Sequence, residues 1–257
     1  MKSCSIVDLG LIGYAEAWAL QKRLVAARKT GAIEDVLLLC EHPHVITLGR
    51  NGKYEHLLAS EQLLRQKGVE FHSSDRGGDI TYHGPGQLVG YPILNLSAIR
   101  KDVVWYVRML EETMIRATAE FGISAERITG KTGIWVRGTN DSFAASLMEE
   151  KLGAIGVHIS RWVTSHGFAY NVSTDLHNFD LIVPCGIAGR KATSLEKILG
   201  RVVMRKDVVQ PMVRNFGEVF ALEMRETSRD DLLAQLQTHE LGGEGNLAPA
   251  SAVEIAL

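Results

Sequence analysis

The apolar positions along this chain change period several times, and each change predicts an element. Residues 14–28 carry an amphipathic helical pattern that runs out near Gly31. Residues 35–40, DVLLLC, form a continuous apolar run of strand character leading into Glu41-His42-Pro43-His44, and residues 45–48 resume as strand until Gly49. Further strands are predicted over 69–72, 88–94, 133–137 and 154–159, with RGGDITYHGPGQ, residues 76–87, set among them as a loop or hairpin. The longest helical pattern covers 101–121, with Val104, Val107, Met109, Leu110, Met114, Ile115 and Ala119 on its inward side. Residues 140–151 fit neither period. Beyond Gly200, residues 206–220 and 230–237 read as helices, and the tail from Gly242, poor in core-forming side chains, is expected to be loosely held.

Strands and helices mix here without the strict alternation of a doubly wound sheet. The expected fold is therefore α/β (α+β), a mixed central sheet flanked by helices, with a catalytic domain over residues 1–200 and a small helical C-terminal part over 201–257. With 257 residues, 46% of them hydrophobic and 23% charged, the chain can bury a large core, which excludes a disordered or fibrous protein. A net charge of −2 gives no electrostatic footprint for nucleic acid, although a local basic patch can still receive an acidic protein. Cys4, Cys40 and Cys185 are odd in number and in no C-x-x-C pairing, so neither a disulfide framework nor a structural zinc site is supported and a reducing cytoplasm fits best. Asp8, Gly10 and Gly13 interrupt any apolar leader at the N-terminus, and no segment approaches the roughly 20 apolar residues of a membrane span.

Candidate chemistry centres on Pro184-Cys185-Gly186-Ile187, where proline fixes φ on one side of the thiol and glycine allows close approach on the other. Three other segments stand with it: Lys151 opening KLGAIGVHIS, His166 opening HGFAYN, and residues 76–87, which hold four glycines among Arg, Asp, Tyr and His. Glycine this dense beside polar groups indicates backbone brought close to a ligand. The bland readings are packing for Cys40, a fraying terminus for Cys4, a polar turn for His42 and His44, hydrogen bonding within the loop for His83, a satisfied histidine for His166, and a solvated helix end for Lys151 after Glu149 and Glu150. No metal site is predicted, since no carboxylate or cysteine completes a set with His42 and His44.

Taken together, EHPHVITLGR, RGGDITYHGPGQLVGYPI, KTGIWV, KLGAIGVHIS, HGFAYNV and IVPCGI followed by Thr193-Ser194-Leu195 resemble the lipoyl(octanoyl) transferases of the biotin and lipoate protein ligase superfamily, over residues 35–199. The resemblance implies a cytoplasmic enzyme that moves an octanoyl group from acyl carrier protein to a lysine ε-amine in a lipoyl domain, of a 2-oxoacid dehydrogenase complex or of the glycine-cleavage H protein. It places the family's acyl-thioester nucleophile on Cys185 and the lysine that lowers the thiol's pKa on Lys151. Substrate-binding stretches map onto Arg76, Gly77, Gly78, Asp79, Ile80, Thr81, Tyr82 and His83, onto Ala154, Ile155 and Gly156, and onto Gly167, Phe168 and Ala169. No cofactor is implied.

Such a site has a chemical rationale. A free thiol with a pKa near ~8.5 is only a few per cent thiolate at neutral pH, and a neighbouring ammonium favours the anion. Exchange of one thioester for another keeps the acyl group activated without ATP, and the acceptor amine then takes it in a ping-pong scheme. Backbone N–H groups around Cys185 to Ile187, or at Gly77 and Gly78, would meet the oxyanion. Ile155, Val157, Phe168 and Leu88 are candidate acyl walls. At about 0.8 kcal/mol per buried methylene, seven chain carbons supply on the order of 5 kcal/mol of selectivity over acetyl. Two alternatives remain open: an ATP-dependent lipoate or biotin ligase, and a Cys-His acyl hydrolase using His83 or His166.

Overall fold

A computed structural model of the chain describes residues 2–137, 149–183, 191–242 and 254–256. In chain order its elements are β1 (Lys2–Leu11), α1 (Tyr14–Thr30), β2 (Asp35–Glu41), β3 (Val45–Leu48), α2 (Glu61–Lys67), β4 (Glu70–Ser73), β5 (Ile80–His83), β6 (Gln87–Ile93), α3 (Val103–Ala119), β7 (Glu126–Ile128), β8 (Lys131–Arg137), β9 (Glu149–Ser160), β10 (Val163–Asn171), β11 (Lys191–Ala192), α4 (Leu195–Leu199), α5 (Arg205–Phe220), β12 (Leu222–Glu226), α6 (Arg229–Gly242) and β13 (Glu254–Ala256). The large sheet runs β12-β1-β2-β6-β10-β9-β8-β7, with β11 and β13 also paired to β9, and a small sheet runs β4-β3-β5. The β12-β1-β2 pairings are parallel and those from β2 through β8 antiparallel. This is the expected mixed sheet flanked by helices.

Both faces of the large sheet are covered, and this is why β2 reads as unbroken apolar sequence. Its Leu37 and Leu39 enter the core formed with α3 and α5, while Val36, Leu38 and Cys40 enter the core formed with α1 and α6. On α1 the buried positions Ala17, Leu20, Leu24 and Ala27 form one stripe, and Gly31 at φ 79° closes the helix by donating its N–H to Ala27 and Arg28 carbonyls. On α3, capped by the Asp102 side chain, the inward stripe is Tyr106, Leu110, Met114 and Ala117. Val104, expected inside, is 66% exposed, because the stripe begins one turn beyond the N-terminal end.

Several strands escape the hydropathy pattern in whole or in part. The strand β1 is expected as a fraying terminus yet pairs with both β2 and β12, and Cys4 is buried on it. The fully buried β10, VTSHGFAYN, is polar enough in composition to read as a loop, and β9 begins at Glu149, five residues before its predicted start. The C-terminal part is not only helical, since β12 extends the large sheet at its edge. In the tail, 254–256 pair antiparallel with Ser160, Ile159 and His158, and residues 243–253 lie outside the described residues.

Candidate active site

A cavity of about 230 Å³ lies on the large sheet where β9 and β10 carry small residues, and the small sheet roofs it. Its floor follows from the register: Ala154 pairs with Ala169, which pairs with Val89, and two rungs along Gly156 pairs with Gly167. Alanine and glycine at alternate rungs leave a trough where larger side chains would fill the space. A Cβ on Gly156 would stand 2.8 Å from the Gly77 carbonyl and 3.2 Å from Arg76 Cδ, so the glycine is what lets the 76–83 segment close over the sheet. Phe168, accommodated opposite Gly90, and Ile155 form apolar walls.

Of the predicted binding residues, Arg76, Gly78, Asp79, Ile80, Thr81, His83, Ala154, Ile155, Gly156, Gly167, Phe168 and Ala169 all line this cavity, as does Lys151. The buried Arg76 guanidinium donates to the Thr47 hydroxyl and carbonyl and to the Gly77 carbonyl, making it a rigid piece of wall. Asp79 is engaged by His56 Nδ1 and by the Ile80 N–H. Gly77 and Tyr82 stand off the cavity. The Gly77 N–H donates to the Val157 carbonyl at 2.9 Å, which removes it as an oxyanion donor, and the alternating pleat sends Tyr82 into the small-sheet core, with its hydroxyl 2.7 Å from His44 Nδ1. The same alternation corrects Leu88, which enters the α3/α5 core while Val89 lines the cavity. Val157 borders a neighbouring cavity of about 340 Å³ against α3.

Lys151 is a strand residue, not a helix end. It pairs with Trp135 on β8 and Ala192 on β11, and its Nζ lies 5.0 Å from the centroid of the Trp135 ring, close enough for a cation–π contact. Gly133, at φ 112°, makes room for it: a Cβ there would stand 2.8 Å from Lys151 Cε. The Gly133 N–H is held at 3.0 Å by Glu111, a fully buried carboxylate that also pairs with Arg108 and Arg127. The adjacent acids turn to other cations, Glu150 to Lys197 at 2.9 Å and Glu149 to Lys131 at 3.7 Å. Cys185 lies outside the described residues; the chain before it is tied at Val183, whose N–H donates to the His56 carbonyl, and resumes at Lys191 beside Glu150.

Sequence reasoning missed Tyr14, Tyr91, Trp135, Gly130 and the start of β8 at Lys131 and Thr132 as lining groups. Trp135 and Lys131 sit within KTGIWV and Tyr91 within the quoted glycine-rich segment, so the signal was present without a geometry to read it. Tyr14 opens a helix distant in sequence, and its ring stacks on His83 with an interplanar angle of 9°. The Tyr91 hydroxyl donates to His42 Nε2 at 2.7 Å, because His42 Nδ1 is committed as a donor to the Ile12 carbonyl. His42, expected in a polar turn, is thus a buried strut held neutral by burial.

Two histidines line the cavity. Burial, with the nearby His42 adding to it, holds His83 down at about 3, and its Nδ1 is 2.7 Å from the Gln87 carboxamide oxygen. His166 donates from Nε2 to Asp75 at 2.7 Å; burial holds the imidazole neutral. Burial alone would raise Asp75, but the His166 hydrogen bond and the neighbouring imidazoles outweigh it and hold the carboxyl at about 2. His166 has φ 53°, a left-handed conformation that is strained for a side chain of this size, and it precedes the Gly167 floor position. Cys40 and Cys4 are buried, and desolvation drives both thiols far upward, so neither supplies a thiolate.

The chain matches the lipoyl protein ligase A/B catalytic domain model over residues 13–217. It is 49% identical to an octanoyltransferase of Acidobacterium capsulatum over 244 residues, covering 91% of this chain and 97% of that one. It is 50% identical to an octanoyltransferase of Solibacter usitatus, covering 87% and 96%. Among solved structures, the bipartite lipoate protein ligase of Thermoplasma acidophilum superposes with a TM-score of 0.68 at 13% identity over 93% of this chain and 92% of that one. A lipoate-protein ligase A bound with ATP gives 0.65 at 13% identity, over 93% and 94%. The chain belongs to the lipoyl protein ligase A/B catalytic-domain family, within its octanoyltransferases, and is an acyltransferase.

Proposed function

We propose that this enzyme takes an octanoyl group from octanoyl-acyl carrier protein onto Cys185 as a thioester and passes it to the ε-amine of a lysine in a lipoyl domain. The observation that carries this reading is the position of Lys151 on a narrow apolar trough. From Lys151 to Gly156 is five residues of strand, roughly 16 Å at about 3.3 Å per residue. An extended eight-carbon chain spans roughly 9 Å at about 1.2 Å per bond, so it fits between the lysine and the Tyr91–Arg76 end with space for the flanking side chains. A cavity of about 230 Å³ lies below the range typical of drug-sized ligands, in keeping with a single unbranched chain.

In the first half-reaction the Cys185 thiolate attacks the donor thioester carbon, the C–S bond to the carrier breaks, and the carrier sulfur takes a proton from the Lys151 ammonium and leaves as a thiol, with Lys151 left neutral. Lys151, as an ammonium beside the thiol, favours the thiolate electrostatically. In the second half-reaction the acceptor amine attacks the Cys185 thioester, the amide forms, and the Cys185 sulfur leaves. The proton lost by the amine passes to Lys151 in its neutral form, and the ammonium is restored for the next cycle. The histidines support this division of labour. His83 stays unprotonated across the working range, and His166 is committed to Asp75 at the Gly156–Gly167 end, away from Lys151, which disfavours a Cys-His hydrolase.

The acceptors would be the lipoyl domains of 2-oxoacid dehydrogenases and the glycine-cleavage H protein, and the compartment the cytoplasm. Among the described residues no helix is long and apolar enough to cross a membrane. Intact-protein mass spectrometry after mixing enzyme with octanoyl-acyl carrier protein, without ATP, tests the scheme. A hydroxylamine-labile octanoyl adduct on Cys185 that moves to an added lipoyl domain is the expected result. Absence of the adduct, with modification appearing only on adding ATP and free octanoate, would make the enzyme a ligase.

A further inference from the structure

A buried amide relay joins the cavity wall to the strand that carries Lys151. Asn171 is the last residue of β10, at the point where the partner of β9 changes from β10 to β11. Its Nδ2 donates to the Thr193 carbonyl at 2.9 Å, and the Thr193 N–H donates to the Lys151 carbonyl at 2.9 Å. A backbone carbonyl only accepts, so the orientation of the Asn171 amide is fixed and its Oδ1 must accept. It accepts from Gln87 Nε2 at 2.9 Å, and the same Nε2 reaches the Tyr82 carbonyl at 3.2 Å. Gln87 Oε1 is then necessarily the acceptor facing His83, which fixes the proton on His83 Nδ1 and leaves the Nε2 lone pair as the ring's other hydrogen-bonding site. Gln87, Asn171 and Thr193 are all buried, so each lost bond would leave an unsatisfied polar group.

We propose that Asn171 and Gln87 are positioning residues: Asn171 ties Thr193, and through it the Lys151 backbone, to the sheet at the β10–β11 gap, while Gln87 fixes the His83 tautomer in the cavity wall. This rests on the transferase reading only in its consequence for turnover; the tether and the tautomer are properties of the fold. The strand β11 begins at Lys191, two residues before Thr193, so the tether sets where β11 lies relative to Lys151. A slack tether would move the ammonium from the thiol while leaving the acyl trough, which is floored further along β9 and β10, as it was.

The test separates the two residues. Asn171→Asp keeps the acceptor for Gln87 and removes the donor to Thr193, so the His83 tautomer should persist while kcat falls by about tenfold or more, with KM for the octanoyl donor within about threefold. The pH midpoint for alkylation of Cys185 should rise, and Cys4 and Cys40, both buried, will not obscure it in the native protein. Gln87→Leu should instead change the ¹⁵N pattern of His83 from the Nδ1–H tautomer, and Asn171→Ser serves if the aspartate variant does not fold. Wild-type His83 protonated on Nε2, or an Asn171→Asp enzyme with unchanged kcat and alkylation midpoint, would overturn the inference. A wild-type enzyme that never acylates Cys185 would sink the transferase reading, yet the tautomer and alkylation shifts would still decide the tether.

Discussion

His83 makes a quantitative prediction about acid stability. Its imidazole has an ordinary value near 6.5 in the unfolded chain and is held at about 3 in the fold, first by burial and then by His42, with Arg76 and His166 adding to the repulsion. The Gln87 bond works in the opposite direction and does not compensate. Because the folded value is depressed, the unfolded state binds the proton first as the pH drops. Stability from this group is complete above about 6.5 and is lost between there and 3, at about 1.4 kcal/mol per pH unit. Between pH 7 and pH 4.5 the loss is on the order of 2–3 kcal/mol, a large part of the stability of a typical domain. Urea unfolding at both pH values, for the wild type and His83→Gln, measures it. The variant should be less stable at pH 7, since it disturbs the Gln87 bond and the Tyr14 stack, yet lose on the order of 2–3 kcal/mol less on acidification. Equal losses in the two proteins would refute a neutral, desolvated His83. His42 and His166, which burial also lowers, remain in both proteins, and the repulsion each shares with His83 is counted in the difference.

Other substitutions probe the trough and its lysine. Cys185→Ser should abolish turnover, since an alkoxide is far harder to form than a thiolate, and robust octanoyl transfer by this variant would exclude the covalent scheme. Gly133→Ala would place a methyl 2.8 Å from Lys151 Cε at a φ that L-residues avoid; octanoyl transfer should fall by more than tenfold, and a wild-type rate would show that Lys151 does not need this path. Ala169→Leu puts three further carbons on the floor between Ala154 and Val89 and should shift the preferred donor from octanoyl towards butyryl, read from single-turnover rates across a series of acyl carriers. Lys151→Ala should move the Cys185 alkylation profile to higher pH, and an unmoved profile would remove the lysine from its assigned part.

The elements legible in the sequence were those whose burial is one-sided or complete and whose residues are plainly apolar. The strand β2 and helix α1 are of this kind. The strands β9 and β10 were hard to read for the reason that makes them useful. Their Gly153, Gly156 and Gly167 have no apolar side chain to contribute, and the polar His166, Ser165 and Thr164 are buried by hydrogen bonding, so β10 shows no hydrophobic alternation and β9 shows one only over Ile155, Val157 and Ile159. The segment 76–83 was recognisable from composition as a candidate site, but which of its residues face the cavity depends on the pleat. A shift of one position exchanges Leu88 for Val89, and only the pairing to β10 decides it.

Lys151 shows the limit most clearly. Two preceding glutamates make it look like a solvated helix end, and nothing in the local sequence says that Glu149 and Glu150 turn to Lys131 and Lys197. Its placement needs three distant contributions: Gly133 opposite its stem, Trp135 beneath its ammonium, and Thr193 on its carbonyl. Each is a structural residue in isolation, and each lies within a segment picked out by its sequence. The site is therefore spread over β8, β9, the end of β10 and the residue that follows β11, where the sheet changes partner. A gap in a regular ladder leaves backbone groups to be met by side chains, and Asn171 meets the one that faces Thr193. The local irregularity of the sheet and the position of Lys151 are thus one feature, which is why a substitution at Asn171 is expected to register in the chemistry of Cys185 before it registers in the shape of the trough.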